Sequence, residues 1–266
     1  MSESVTEEQR LLLRLFDKSV LKKAKYAAIG RYLPETEGRE CLDIGADNGV
    51  ISYLLRERGG RWTSADLDRD VVESIRRMVG DRVYLLDGGR TPFDDDTFDV
   101  VVIIDALEHL HDDAGFVQEL ARISTGNAVL IANVPHDKPR SPIRKLRMML
   151  GLTDEKHGHV RPGYDLESLR RLLSPGFEIV EHHTYSRFFV ELFDAAISFY
   201  LDRAREGDSS SKGNVVTGDD IRRRAKQFKL FSVIYPVVAF LQLLDRMLFF
   251  TSGYSLIVKA RPAGKT

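Results

Sequence analysis

Cysteine is nearly absent: the 266 residues include one, Cys41. That excludes an internal disulfide framework and fits a reducing compartment. An excess of charge of either sign is also lacking. Thirty-nine Lys and Arg stand against 40 Asp and Glu, a formal net charge of -1, so composition gives no electrostatic footprint for a nucleic-acid partner, and none is expected. No apolar run is long enough to cross a bilayer. Residues 230 to 244 carry no charge but include Pro236, and they fall short of the roughly 20 residues a spanning helix needs. The opening Met-Ser-Glu-Ser-Val-Thr-Glu-Glu is acidic and polar, unlike a secretory leader. The expectation is a cytoplasmic protein. No internal repeat interrupts the chain.

What is present is an alternation of short apolar runs and amphipathic stretches. Residues 7 to 33 read as one helix, with Leu11, Leu12, Leu15, Phe16, Val20 and Leu21 at helical spacing. Strands are then expected at Cys41–Ile44, Trp62–Ala65, Val83–Leu86, Phe98–Ile104, Ala128–Val134, Phe177–Glu181 and Tyr254–Lys259. Helices are expected at Val50–Arg58, Val71–Val79, Ala114–Ile123 and Leu166–Leu173. Phe98–Ile104 is a β-branched run too short for a helix and suits a buried parallel strand. This rhythm predicts an α/β fold, a doubly wound and mostly parallel seven-stranded sheet. Four segments follow: an N-terminal helical segment over 1–37, an α/β core over 38–186, a helical apolar insertion over 187–252, and a final strand and tail over 253–266.

The chemistry sits where strands end. Cys41–Ile44 runs into Gly45-Ala-Asp-Asn-Gly49. Glycine in such a turn lets backbone approach a ligand, and the helix that follows offers free N–H groups. The turn lacks the G-x-G-x-x-G spacing of a dinucleotide site. Its strand ends in an acid, Asp43, which suits a ligand carrying an ammonium group rather than a pyrophosphate. Asp66 ends the second strand, where a carboxylate can accept both hydroxyls of a ribose. Asp87 follows the third, where a carboxylate can meet an exocyclic amine. Asp105-Ala-Leu-Glu-His109 follows the fourth. All four lie at C-terminal strand ends, the edge at which open α/β sheets bind ligands. Asp68 is read instead as a helix N-cap.

With these residues in order, the sequence resembles the class I S-adenosylmethionine-dependent methyltransferases, near the branch holding ubiquinone and menaquinone methyltransferases. Asp43, Gly45 and Gly49 resemble the glycine motif. Asp66 matches the ribose-binding acid, with Leu67 beside the adenine. Asp87 and Gly88 match the adenine-contacting pair. Residues 92 to 101 resemble the approach to the fourth strand, and Asp105 to Leu110 the segment after it. His157-Gly-His159-Val-Arg161, with Tyr164, resembles the substrate-side loop. The resemblance covers roughly residues 38 to 184 and the last strand. It departs at Asp47, where the family usually has glycine; Asn48 is expected to take up the unusual dihedrals.

The resemblance implies S-adenosyl-L-methionine as cofactor, S-adenosyl-L-homocysteine as product, and donor contacts from Asp43, Gly45, Gly49, Asp66, Leu67, Asp87, Gly88 and Asp105. His157 and His159 are the candidate bases, with His136 a further option, because histidine titrates near neutral pH. No metal is expected: His109, His111, His157, His159, His182 and His183 lack standard ligand spacing. The apolar, aromatic insertion implies a bulky apolar or lipid-like acceptor, methylated at oxygen or carbon. Arg222, Arg223, Arg224, Lys226 and Lys229 precede its second apolar stretch. Three readings are weighed for it: a buried lid or homodimer helix pair, a membrane-surface contact through 221–250, and a transmembrane span, which its length disfavours. A non-catalytic module that holds the donor, and a nucleotide-dependent oxidoreductase, are the rival functions.

Overall fold

A computed structural model describes residues 6–152, 159–205, 225–248 and 250–264. The N-terminal helix is two helices, α1 (Glu7–Asp17) and α2 (Val20–Tyr32). The unbroken helix expected over 7–33 fails at Ser19. The Ser19 hydroxyl accepts from the Lys22 N–H and starts a new helix, the role serine plays at an N-cap.

Seven strands form one sheet: β1 (Glu40–Ile44), β2 (Arg61–Asp66), β3 (Val83–Leu85), β4 (Phe98–Ile104), β5 (Ser124–Pro135), β6 (Phe177–Tyr185) and β7 (Ser255–Pro262). Their order is β3-β2-β1-β4-β5-β7-β6. β1 to β5 are parallel, and β7 runs antiparallel to both β5 and β6. β6 therefore points the same way as β1 to β5 and delivers its C-terminus to the same edge. The doubly wound, mostly parallel expectation holds, with β7 as the reversed strand.

The helices between strands are α3 (Val50–Arg56), α4 (Arg69–Val79), α5 (Asp113–Ile123), α6 (Pro142–Met149) and α7 (Leu166–Leu173), with a 3-10 turn at Leu107–His109. Asp68 is the N-cap of α4, accepting from the Asp70 and Val71 N–H groups. α6 lies where no helix was expected. Ser141 caps it and Pro142 opens it, a start signal masked by the density of Lys and Arg.

β4 explains why the sheet is buried on both faces. Val101 and Ile103 pack into one core cluster with α5 and α7, while Val100, Val102 and Ile104 pack into the other with α2, α3 and α4. Alternation along one strand feeds two cores, as a parallel sheet requires. The C-terminal helices are α8 (Phe188–Arg205) and α9 (Ala225–Met247), which pack on each other. Asp245 of α9 is buried and accepts from the backbone N–H groups of Arg187, Phe189 and Val190, closing the start of α8. Residues 222 to 224, part of the basic run expected before α9, lie outside the described residues.

Candidate functional site

The turn after β1 is held from behind. The Asp43 carboxylate is wholly buried, accepting from the hydroxyls of Ser52 (2.5 Å) and Ser64 (2.7 Å), with the Arg56 guanidinium 3.6 Å away. Burial raises its pKa, and Arg56 and the two hydroxyls oppose the rise. Asp43 faces these three side chains, so its geometry is that of a brace for the turn. Gly45 (φ 84°) sits against the end of β4, where a Cβ would collide with the Ile104 carbonyl oxygen. Gly49 (φ 81°) starts α3, and a Cβ there would lie 2.8 Å from Ile75 Cα on α4. Both glycines are needed because neighbouring backbone approaches where only hydrogen fits. The left-handed residue between them is Asp47 (φ 53°), not Asn48 as expected. Asp47 is paired at 2.5 Å with Lys22 of α2.

Along the same edge, Asp66 at the end of β2 is mostly buried, and burial pushes its carboxyl up to about 6, against the opposing N–H groups of Asp68 and Leu67. Its Oδ1 accepts from the Asp68 N–H at 2.9 Å. Leu67 is half-buried beside it. Asp87 is exposed and accepts from the Gly89 N–H at 2.9 Å. It lines a cleft of about 430 Å³ with Leu85, Leu86, Arg90, Thr91 and Pro92. Gly88 (φ 84°) packs where a Cβ would lie 2.7 Å from Leu110 Cδ2.

Asp105 (φ 45°) ends β4 in a strained left-handed conformation. One carboxylate oxygen pairs with Lys25 of α2, and the other accepts from the Asn133 side-chain amide at 2.7 Å. Asn133, buried at the end of β5, accepts in turn from the Tyr185 hydroxyl at 2.5 Å. Burial works against the Lys25 ammonium, but Asp105 and Tyr185 outweigh it and hold its pKa above the usual lysine range. Burial raises Tyr185 as well. Asp105 was expected at this edge, but its partners Lys25, Asn133 and Tyr185 escaped the sequence reading. One signal was available: α2 carries lysines at 22, 23 and 25 and no acid in its first turn.

Beyond the row lies a small cavity of about 140 Å³ between α2, the end of β6, α8 and α9, lined by Val20, Ala24, Tyr185, Arg187, Val190 and Gln242 among others. Of the histidines, His157 lies outside the described residues. His136 is committed to the Gly253 carbonyl (2.8 Å) and His183 to the Tyr32 hydroxyl (3.0 Å). His159 meets His109 edge-on, ring centroids 4.7 Å apart. The loop carrying it is fixed over the 3-10 turn by the Val160 N–H on the Glu108 carbonyl and by Arg161 on Asp113.

Residues 42–132, from β1 into β5, match the family described as Methyltransferase domain. The chain is 30% identical over 115 residues to a protein of Mycobacterium tuberculosis named a probable S-adenosylmethionine-dependent methyltransferase. That match covers 43% of this chain and 42% of the relative, so the chain spans less than half of that relative's length. It is 26% identical over 167 residues to the demethylmenaquinone methyltransferase of Thermobifida fusca, covering 57% of this chain and 65% of that one. Among solved structures, an S-adenosylmethionine-dependent methyltransferase from Mesorhizobium loti aligns with a TM-score of 0.55 at 17% identity, over 90% of this chain and 97% of that chain. The chain shares the fold of that methyltransferase structure, and its residues 42–132 are similar to the Methyltransferase domain family.

Proposed function

We propose that this chain, on the strength of its methyltransferase domain, transfers the methyl group of S-adenosyl-L-methionine to an apolar or lipid-like acceptor and releases S-adenosyl-L-homocysteine. The observation that carries the reading is the row of three carboxylates, Asp66, Asp87 and Asp105, at successive strand ends beside the Gly45–Gly49 turn. Asp66 would accept the ribose hydroxyls, with Leu67, Asp87 and Gly88 around the adenine. Asp105, already paired with Lys25, would also meet the donor's ammonium, and the Lys25 ammonium would meet the donor's carboxylate. Asp43 would serve by bracing the turn that Gly45 and Gly49 shape.

The transfer is an in-line displacement. A lone pair on the acceptor attacks the methyl carbon, and the carbon–sulfur bond breaks with its electron pair going to sulfur. The donor is already activated, so alignment is the protein's main task. An acceptor hydroxyl must also lose its proton, for which His159 is the candidate among the described residues.

The insertion supplies the apolar partner. Among the described residues of α9, the large apolar side chains Val237, Phe240, Leu243 and Met247 are exposed, with Phe250 beyond; Phe240 is 59%, Met247 70% and Phe250 74% exposed. Met148 and Met149 of α6 are exposed as well, and α6 brings the exposed cation Lys145, with Arg140 just before it. Exposed apolar area flanked by cations suits the headgroup region of an anionic lipid surface. Among the described residues no helix is long and apolar enough to cross a membrane. A surface site also suits an acceptor that lives in lipid, because the 140 Å³ cavity holds a ring and not a whole prenylated molecule. Titration with S-adenosylmethionine and with NAD tests the donor: tight binding of the first alone supports the reading, and preference for NAD refutes it.

A further inference from the structure

The 3-10 turn after β4 buries a carboxylate that the donor site does not use. Glu108 is 0% exposed, and neither of its oxygens has a hydrogen-bond partner. Leaving a carboxylate ionised, buried and unpartnered costs several kcal/mol, so such a group is neutralised, paired or bound to a cation. Two imidazoles stand beside it. A ligand atom from each of Glu108, His109 and His159 lies within 4.8 Å of the other two. His109 comes from the same turn, whereas His159 arrives on a loop 50 residues later, docked there by the Val160 N–H on the Glu108 carbonyl and by Arg161 on both Asp113 and the Leu107 carbonyl.

We propose that Glu108, His109 and His159 form a binding site for one divalent transition-metal ion. One carboxylate and two imidazoles make a donor set suited to Zn²⁺, Mn²⁺, Fe²⁺ or Co²⁺ and poor for Mg²⁺ or Ca²⁺, which prefer oxygen. Bond lengths of about 2.0–2.2 Å put ligand atoms in such a site roughly 3–3.5 Å apart. The three ligand atoms, within 4.8 Å of one another, would have to close to that spacing around the ion. Glu108 is buried, and the two imidazoles are intermediate in burial. On the methyltransferase reading above, His159 would hold the ion instead of taking the proton, and an acceptor hydroxyl bound to this ion would lose its proton to solvent at lower pH. Its oxygen would then attack the methyl carbon as the carbon–sulfur pair passes to sulfur.

The test uses the full chain, stripped with a chelator and titrated with Co²⁺. Visible absorption reports ligand geometry and elemental analysis reports stoichiometry. One Co²⁺ per chain is expected, with affinity at least about tenfold weaker in both Glu108→Gln and His159→Ala, and unchanged in His111→Ala, which lies outside the trio. Unaltered thermal transitions identify variants that remain folded; if Glu108→Gln does not fold, His159→Ala still decides. Absence of stoichiometric binding, or binding that ignores both substitutions, overturns the site. Donor binding is measured separately on chelated protein. Donor affinity without Co²⁺ binding defeats the metal site alone, and Co²⁺ binding without donor affinity defeats the methyl-transfer reading alone.

Discussion

Substituting Asp66 with asparagine should move donor affinity and stability in opposite directions. In the folded protein burial lifts the Asp66 carboxyl from 3.8 to about 6, and two backbone N–H groups recover only part of that cost. Above pH 6 the ionised group is a net destabiliser. Its folded pKa is raised, so the folded state takes up the extra proton, and stability falls as pH rises from about 4 to 6. Two pKa units correspond to at most about 3 kcal/mol, and partial solvent access reduces this to about 1–2 kcal/mol. Asp66→Asn keeps the shape and removes the charge. At pH 7 it should raise Tm by roughly 2–6 °C, a gain that fades toward pH 4. Donor binding should go the other way. Hydrogen bonds from ribose hydroxyls to a charged acceptor are worth about 1.5–3 kcal/mol, so affinity should fall about 10- to 150-fold. Wild-type affinity should itself weaken about tenfold per pH unit below 6, as Asp66 takes up its proton, whereas the variant should lose that slope. Equilibrium dialysis with labelled S-adenosylmethionine from pH 5 to 8, alongside thermal melts, reads all of this. Affinity within twofold of wild type, or a pH slope that survives the substitution, would refute the assignment of Asp66.

Three other perturbations test other parts of the account. Gly45→Ala demands a left-handed alanine against the Ile104 carbonyl, so it should cost about 2–4 kcal/mol and abolish donor binding even at temperatures where the chain stays folded; a melt within 1 °C of wild type would contradict the geometry. Asp245→Ala removes the acceptor for three N–H groups at the start of α8 and should cost about 1–3 kcal/mol. Hydrogen exchange should accelerate across 188–199 while donor affinity holds, and exchange unchanged there would sink the idea. The double substitution Phe240→Asp with Met247→Asp should abolish co-flotation with anionic vesicles without altering donor binding. If wild type ignores vesicles but sediments as a dimer that this variant dissociates, the apolar face is a contact between copies instead.

Where a local pattern decides the structure, the sequence was enough. Phe98–Ile104 and Leu166–Leu173 fall where expected, because a β-branched run flanked by polar residues and a helix opened by Asp165 leave no alternative. The Asp68 cap was legible for the same reason. The errors arose where a short-range signal competed with a longer pattern. Apolar spacing ran straight through Ser19, yet its hydroxyl restarts the helix; the cations of α6 concealed the Ser141-Pro142 start. Asp47 rather than Asn48 takes the left-handed turn, and its pairing with Lys22 from α2 accompanies that choice. The row from Lys25 to Tyr185 joins residues 28 to 80 positions apart, and no spacing rule brings these together. The meeting of Glu108 with His159 is tertiary in the same sense.

Methyl transfer itself is the most direct test. The full chain is incubated with S-adenosylmethionine labelled in its methyl group and with a lipid and quinone extract, and both the organic-phase label and S-adenosylhomocysteine are measured. The account predicts label entering the apolar fraction in step with S-adenosylhomocysteine release, with both falling at least about tenfold in Asp66→Asn at subsaturating donor. Tight donor binding with neither label transfer nor S-adenosylhomocysteine formation would contradict it and identify the chain as a module that holds the donor without spending it.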